Sequence, residues 1–122
     1  MTIAIGVNGA CGRMGRRVID VAHADPEVTV AAAVDSPGHP LQGRDAGEVA
    51  GVGPLGLKVT SELPPTPVDV LIDFSSPVGT MTVLPACVQR KVPLVLATTG
   101  HPPEDRTAIA KAALEIPVLY VP

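Results

Sequence analysis

Ile3-Ala4-Ile5-Gly6-Val7, then Gly9-Ala10-Cys11-Gly12-Arg13-Met14-Gly15, then Arg16-Arg17-Val18-Ile19-Asp20-Val21-Ala22 is the stretch that decides how this chain folds. The first run is short and apolar and reads as a buried strand. In the last, Val18, Ile19, Val21 and Ala22 recur at helical spacing. Strand, glycine loop and helix in that order make a phosphate cradle. A helix start offers unpaired N–H groups and a partial positive charge, and glycines let the backbone come close to an anion. One glycine makes the tight turn, the next admits a pyrophosphate, and the last lets helix and strand pack closely. The spacing here, G-x-x-G-x-x-G, is one residue longer than the common G-x-G-x-x-G, and glycines by themselves also serve as plain turn punctuation.

An acid in the right place adds weight. Asp35 lies 20 residues beyond Gly15 and ends a second apolar run, Val28-Thr29-Val30-Ala31-Ala32-Ala33-Val34. In a βαβ unit the tip of the second strand reaches the adenosine ribose, whose hydroxyls a carboxylate can accept from. The plain alternative is a βαβ unit with an ordinary turn aspartate.

At 122 residues the chain is one domain, 1–122, with room for a real core. Hydrophobic residues make up 46% but aromatics only 2%, so that core must be Ala, Val, Leu and Ile. This suits strands buried on both faces. A net charge of −3 gives no basic field for nucleic acid. No apolar run approaches the roughly 20 residues that span a bilayer. The N-terminus runs straight into a predicted strand, so no signal peptide is expected. Cys11 and Cys87 fit no metal-ligand spacing and are expected to stay thiols in a reducing cytoplasm. The expected location is cytoplasmic, with no membrane and no nucleic-acid partner.

Along the chain, strands are predicted at 3–8, 28–34, 57–60, 69–73, 93–97 and 117–121, and helices at 12–24, 78–90 and 103–115. Gly100 and Pro102-Pro103 mark the start of the last helix. The Gly- and Pro-rich 35–56 stretch is a long connection with a short helical turn at 45–50. Residues 61–67 should be helical by topology, but three prolines leave only a turn or a shortened helix. The alternation gives the fold class: α/β, with a doubly wound, mostly parallel sheet of the Rossmann type.

Ligands of open α/β sheets sit beyond the carboxyl ends of the strands, near the switch point. Two such ends read Asp73-Phe74-Ser75-Ser76-Pro77 and Ala97-Thr98-Thr99-Gly100, small residues and hydroxyls that suit a ribose or nicotinamide. Phe74, the only Phe, either meets the cofactor face or plugs the sheet edge. Thr98 and Thr99 either line the crevice or cap a helix.

With these residues in view, the chain resembles the N-terminal half of the dihydrodipicolinate (4-hydroxy-tetrahydrodipicolinate) reductases of the diaminopimelate route to lysine. The resemblance is carried by Gly9 to Arg16, Ala33-Val34-Asp35, Gly43-Arg44-Asp45-Ala46-Gly47-Glu48, Leu71-Ile72-Asp73-Phe74-Ser75-Ser76-Pro77, Ala97 to Gly100 and Pro117 to Pro122. It implies hydride transfer from NADH or NADPH to the dihydrodipicolinate-type ring. It implies that Gly9, Ala10, Cys11, Gly12, Arg13 and Met14 wrap the pyrophosphate and that Asp35 reads the ribose. It implies too that Ala97, Thr98 and Thr99 approach the nicotinamide half, with Val121 just before an Asn-Phe-Ser closing segment. Ala97 stands where the family usually has Gly.

The family's His-His-Arg-x-Lys run and Asp-Ala-Pro-Ser-Gly-Thr motif belong to a C-terminal domain that binds substrate and builds a homotetramer, and nothing in this sequence matches them. The expectation is a fragment or truncated reductase that binds cofactor without turnover. Bare βαβ physics also fits a free-standing nucleotide-binding module, or the cofactor domain of another two-domain amino-acid dehydrogenase.

Three finer expectations complete the reading. Asp35 followed by Ser36 favours NADH, with NADPH tolerated where Arg13 partly neutralises a 2′-phosphate. Cys11, near a helix start and Arg13, should have a lowered pKa and react with thiol reagents faster than Cys87, unless it only fills a gap. His23, His39 and His101 are expected at the surface rather than as general acids.

Overall fold

The computed structural model describes residues 2–121. Six strands form one sheet in the order β3-β2-β1-β4-β5-β6, every pair parallel. In chain order the elements are β1 (Ile3–Asn8), α1 (Arg13–His23), β2 (Val28–Val34), α2 (Ala46–Ala50), β3 (Val59–Thr60), β4 (Val70–Asp73), α3 (Pro77–Arg90), β5 (Leu94–Leu96), α4 (Pro103–Ala112) and β6 (Val118–Tyr120). The chain winds outward from β1 to β3, crosses back to lay β4 against the other side of β1, and winds outward again. That reversal between β1 and β4 is the switch point of a doubly wound sheet.

Burial on both faces follows from period-two alternation along the strands. In β4, Leu71 joins the core under α3 and α4 with Val83, Leu84, Leu94, Leu96 and Ile109. Its neighbours Val70 and Ile72 pack on the opposite core with Ile5, Val7, Ile19 and Ala22 of β1 and α1. Aliphatic and alanine side chains fill both layers, as the scarcity of aromatics requires.

Most element boundaries fall within one residue of the expectation; two differ by more, for local reasons. The strand expected at 57–60 keeps only its last two residues, because the 43–46 segment uses its first half. Ala46 N–H donates to the Leu57 carbonyl, and Asp45 bridges Lys58 in antiparallel sense. The helix expected to reach 115 stops at Ala112; residues 113–115 form turns that bring Ile116 into the core ahead of Pro117. The 61–67 crossover holds no helix, as its prolines foretold. Its carbonyls are tied instead by the Arg90 guanidinium, which donates to Pro64 at 2.6 Å and Thr66 at 2.8 Å.

Asp45 organises the long connection. Its carboxylate accepts from the N–H groups of Gly47 (2.9 Å) and Glu48 (3.1 Å), capping α2, and from Leu55 (3.0 Å), Gly56 (2.7 Å) and Leu57 (3.2 Å). These bonds, Leu55 foremost, hold its pKa down from 3.8 to about 2. A lowered folded pKa means stability that is complete above the ordinary aspartate range and lost as pH falls through about 2. Asp45→Asn places an NH2 against backbone donors, so its urea midpoint should fall below wild type at neutral pH. The gap should close as pH is lowered from about 4 toward 2, which midpoints across that range will show.

Candidate functional site at the strand ends

The parallel register aligns the last paired residues of all six strands in one row: Thr60, Val34, Asn8, Asp73, Leu96 and Tyr120. The next residues are Ser61, Asp35, Gly9, Phe74, Ala97 and Val121. Five of those six are residues the sequence singled out, and Asp35 and Val121 lie four strands, or about 19 Å, apart.

The middle of this row opens into a cleft of about 300 Å³ lined by Gly9, Gly12, Asp35, Phe74, Ser75 and Gly79, among others. It sits at the switch point. Gly9 shapes its floor with φ +82°, and a Cβ there would meet the Phe74 carbonyl at 2.7 Å. Gly9 and Ala10 N–H groups donate to the Val34 carbonyl (2.8 and 3.1 Å), and Gly12 N–H donates to the Gly9 carbonyl (3.1 Å). Cys11 N–H donates to Asp35 Oδ2 at 2.9 Å, and Ser36 N–H to Asp35 Oδ1 at 2.8 Å.

The amides of residues 9–12 are thus spent on the loop's own shape. Continuing along this loop into the first turn of α1, the amides of Arg13, Met14 and Gly15 have no hydrogen-bond acceptor. Gly12 caps that helix with no side chain, and its first turn holds no acid. Arg13, Arg16 and Arg17 crowd the start instead, a placement the helix dipole disfavours until an anion arrives. Arg13 itself lines a separate groove with Arg16, Arg17 and Asp20.

Ala97, Thr98, Thr99 and Val121 continue the row past the cleft without lining it. Ala97 N–H donates to the Asp73 carbonyl, and Val121 N–H to the Leu96 carbonyl. Neither Thr98 nor Thr99 caps α4, whose N-cap is Pro102. Thr98 is buried with its hydroxyl donating to Asp73 Oδ1 at 3.2 Å, while Thr99 and Gly100 are exposed.

Compared with known proteins, residues 3–122 match the family described as dihydrodipicolinate reductase, N-terminus. The chain belongs to the dihydrodipicolinate reductase family. It is 45% identical over 122 residues to the 4-hydroxy-tetrahydrodipicolinate reductase of Halorhodospira halophila, covering 98% of this chain and 46% of that protein. Against the enzymes of the same name from Magnetococcus marinus and Methylococcus capsulatus it is 44% and 42% identical, covering 100% of this chain and 46% of each. The chain therefore spans just under half the length of these relatives.

Two expectations about this reductase domain are overturned. Cys11 does not have a lowered pKa. Burial, followed by the Asp35 charge and the thiol's hydrogen bond to Asp35, raises it from 9.0 to about 11, with Arg16 only partly opposing. Burial raises Cys87 to about 11 as well, which removes the basis for selective reactivity. The local sequence displayed the helix start and the arginines but not the carboxylate folded against the thiol.

Of the histidines, only His23 is at the surface. His39 is half-buried in the cleft wall, its Nδ1 accepting from Leu41 N–H at 3.1 Å. His101 is buried beside the Tyr120 ring, 3.9 Å from the Asp105 carboxylate, with neither ring nitrogen hydrogen-bonded.

Sequence reasoning also passed over the far wall of the cleft, formed by Ser61, Val78, Thr82 and Val83. Gly79, Thr82 and Val83 recur at helical spacing, a signal for one face of α3 that needed the strand order to say which face.

Proposed function

We propose that this chain is the nicotinamide-dinucleotide-binding domain of a 4-hydroxy-tetrahydrodipicolinate reductase. The observation that carries the reading is the conjunction at the switch point of three unpaired amides in the first turn of α1, directly after the cleft-lining Gly12, with the Asp35 carboxylate that lines the same cleft. The amides of Arg13, Met14 and Gly15 hold the diphosphate, and the arginines of α1 supply the field that draws it in. Asp35, oriented by two backbone donors, accepts from the ribose hydroxyls. Phe74 and the Ala97–Thr99 strand end carry the row toward the nicotinamide, with Val121 at its far side.

A nicotinamide dinucleotide bound there supplies the hydride. This chain's residues bind and orient it, and the substrate's binding groups and proton source belong to the C-terminal domain of the full-length reductase, which also assembles the tetramer. The domain alone binds cofactor and does not turn over.

NADH is the preferred cofactor and NADPH the tolerated one. A 2′-phosphate beside Asp35 meets a carboxylate, and Ser36 offers no cation to neutralise it. Arg13, in the adjoining groove, gives partial compensation. Calorimetric titration should show NADH binding, weaker NADPH binding and none of pyridine-2,6-dicarboxylate. Asp35→Ala should move the NADPH-to-NADH affinity ratio toward NADPH by roughly tenfold, about 1.4 kcal/mol. Equal affinities in the wild-type chain would refute the preference, and no binding of either would refute the site.

A further inference from the structure

The cleft wall brings together three groups that dinucleotide binding uses only in part. Cys11 Sγ, an Asp35 carboxylate oxygen and a His39 ring nitrogen all lie within 4.8 Å of one another. They come from the loop after β1, the tip of β2 and the turn that follows it, so no spacing in the sequence reveals the set. We infer that Cys11, Asp35 and His39 form a site for a zinc-class divalent cation whose occupancy excludes the dinucleotide. The exclusion rests on the dinucleotide reading given above; the metal site does not.

Thiolate, imidazole and carboxylate together are a zinc donor set, whereas magnesium and calcium select oxygen ligands throughout. Zinc ligand atoms lie roughly 2.0–2.3 Å from the ion, so these three need to close on one another by only about 1 Å, within reach of side-chain rotation. Asp35 and His39 line the cleft, and Cys11, 5% exposed, stands behind them. The ion therefore enters from the Asp35–His39 side, with its fourth position open to water in the cleft. Backbone donors from Cys11 and Ser36 already orient the carboxylate, the kind of outer contact that tunes a metal ligand.

On binding, the Cys11 S–H bond breaks, an S–Zn bond forms and the proton leaves to solvent, with no change of oxidation state. The Leu41 N–H bond to His39 Nδ1 is given up, because a metal on either ring nitrogen requires Nδ1 to take the ion or the proton. An ion held by Asp35 sits where the ribose hydroxyls have to bind, and the two occupants cannot share the carboxylate.

Cobalt(II), which reports thiolate ligation by near-ultraviolet charge-transfer absorption, serves as the probe, with zinc as competitor. The wild-type chain should take up one cobalt with that absorption and lose it to zinc. The band should vanish in Cys11→Ser, persist in Cys87→Ala, and need roughly 100-fold more cobalt in His39→Gln. His39 is only half-buried, so that variant keeps the test open should Cys11→Ser fail to fold. NADH affinity should fall at least roughly tenfold on zinc loading of wild type, and zinc should have no such effect in His39→Gln.

A chain without the thiolate band, or one whose band survives Cys11→Ser, overturns the metal site. Undiminished NADH binding to the zinc-loaded chain overturns the exclusion. If the metal-free chain does not bind NADH while the band follows the variants, the dinucleotide reading falls and the metal site stands.

Discussion

Gly15→Ala should abolish dinucleotide binding, with affinity for NADH falling at least roughly 100-fold, about 2.7 kcal/mol. Gly15 is buried in the first turn of α1, and a Cβ there would be driven into the carbonyl oxygen and carbon of Gly9, with Ala10 Cα at 2.9 Å. Those atoms are backbone and cannot swing aside as a side chain could. Relief requires the start of α1 to lift away from the loop, which shifts the three unpaired amides relative to Gly9 and Gly12. The same shift loosens the packing of α1 on β1 and should cost about 1–3 kcal/mol of stability, the range for overfilling a tight interior.

Gly12→Ala separates the two effects. The nearest atom to its Cβ is the Gly9 carbonyl oxygen at 3.4 Å, and its φ of −76° suits any residue. That variant should unfold at nearly the wild-type urea midpoint. If it too loses NADH, the methyl group is blocking a ligand rather than distorting the loop. Midpoints and NADH titrations on both variants check the pair, and undiminished binding by Gly15→Ala would refute the assignment of the α1 start as the diphosphate site.

What could be read without coordinates was whatever local pattern and topology determine together. The βαβ start was legible because Val18, Ile19, Val21 and Ala22 keep helical spacing directly after a glycine loop. The position of Asp35 at the tip of β2 was legible because a parallel crossover of that length returns the chain beside β1, and the Cys11 N–H to Asp35 bond shows it arriving there.

Contacts between segments far apart in the chain were not legible. Nothing near Cys11 in sequence foretold that Asp35 would fold against its thiol. Nothing near His101 foretold burial under Tyr120, since a histidine beside two prolines usually marks a solvated loop. Amide bookkeeping was hidden as well. The glycines suggested that the whole loop embraces an anion; residues 9–12 spend their donors holding the loop closed, which leaves the unpaired amides in the helix turn behind them.

The same blindness concealed the residue whose loss should cost the most stability. Asp73 reads in sequence as one letter of a strand-end motif, yet its carboxylate is fully buried. It accepts from Ser75 N–H at 2.9 Å, Ser75 Oγ at 2.6 Å, Thr98 Oγ1 at 3.2 Å and Thr80 Oγ1 at 2.6 Å. One side chain thereby joins the ends of β4 and β5 to the first turn of α3. Asp73→Ala removes both carboxylate oxygens at once, leaves the Thr80 hydroxyl unpaired in the interior and leaves the Thr98 hydroxyl only its longer, 3.4 Å bond to the Asp73 carbonyl. Bonds to a charged group contribute about 1.5–3 kcal/mol each, but removing the carboxylate also relieves the several kcal/mol that its burial costs, so a net loss of about 3–4 kcal/mol is expected. Asp73→Asn keeps the shape and one acceptor, and the hydroxyls can rotate to accept from its NH2, so it should cost about half as much. Urea unfolding with an unchanged m value measures both. A loss below about 1 kcal/mol for Asp73→Ala would show that the network is dispensable. Because Ser75 lines the cleft and the Ala97 N–H leans on the Asp73 carbonyl, NADH affinity should fall with stability in both variants. This one buried acid holds the ends of β4 and β5 and the start of α3 together, which ties the proposed site to the integrity of the fold.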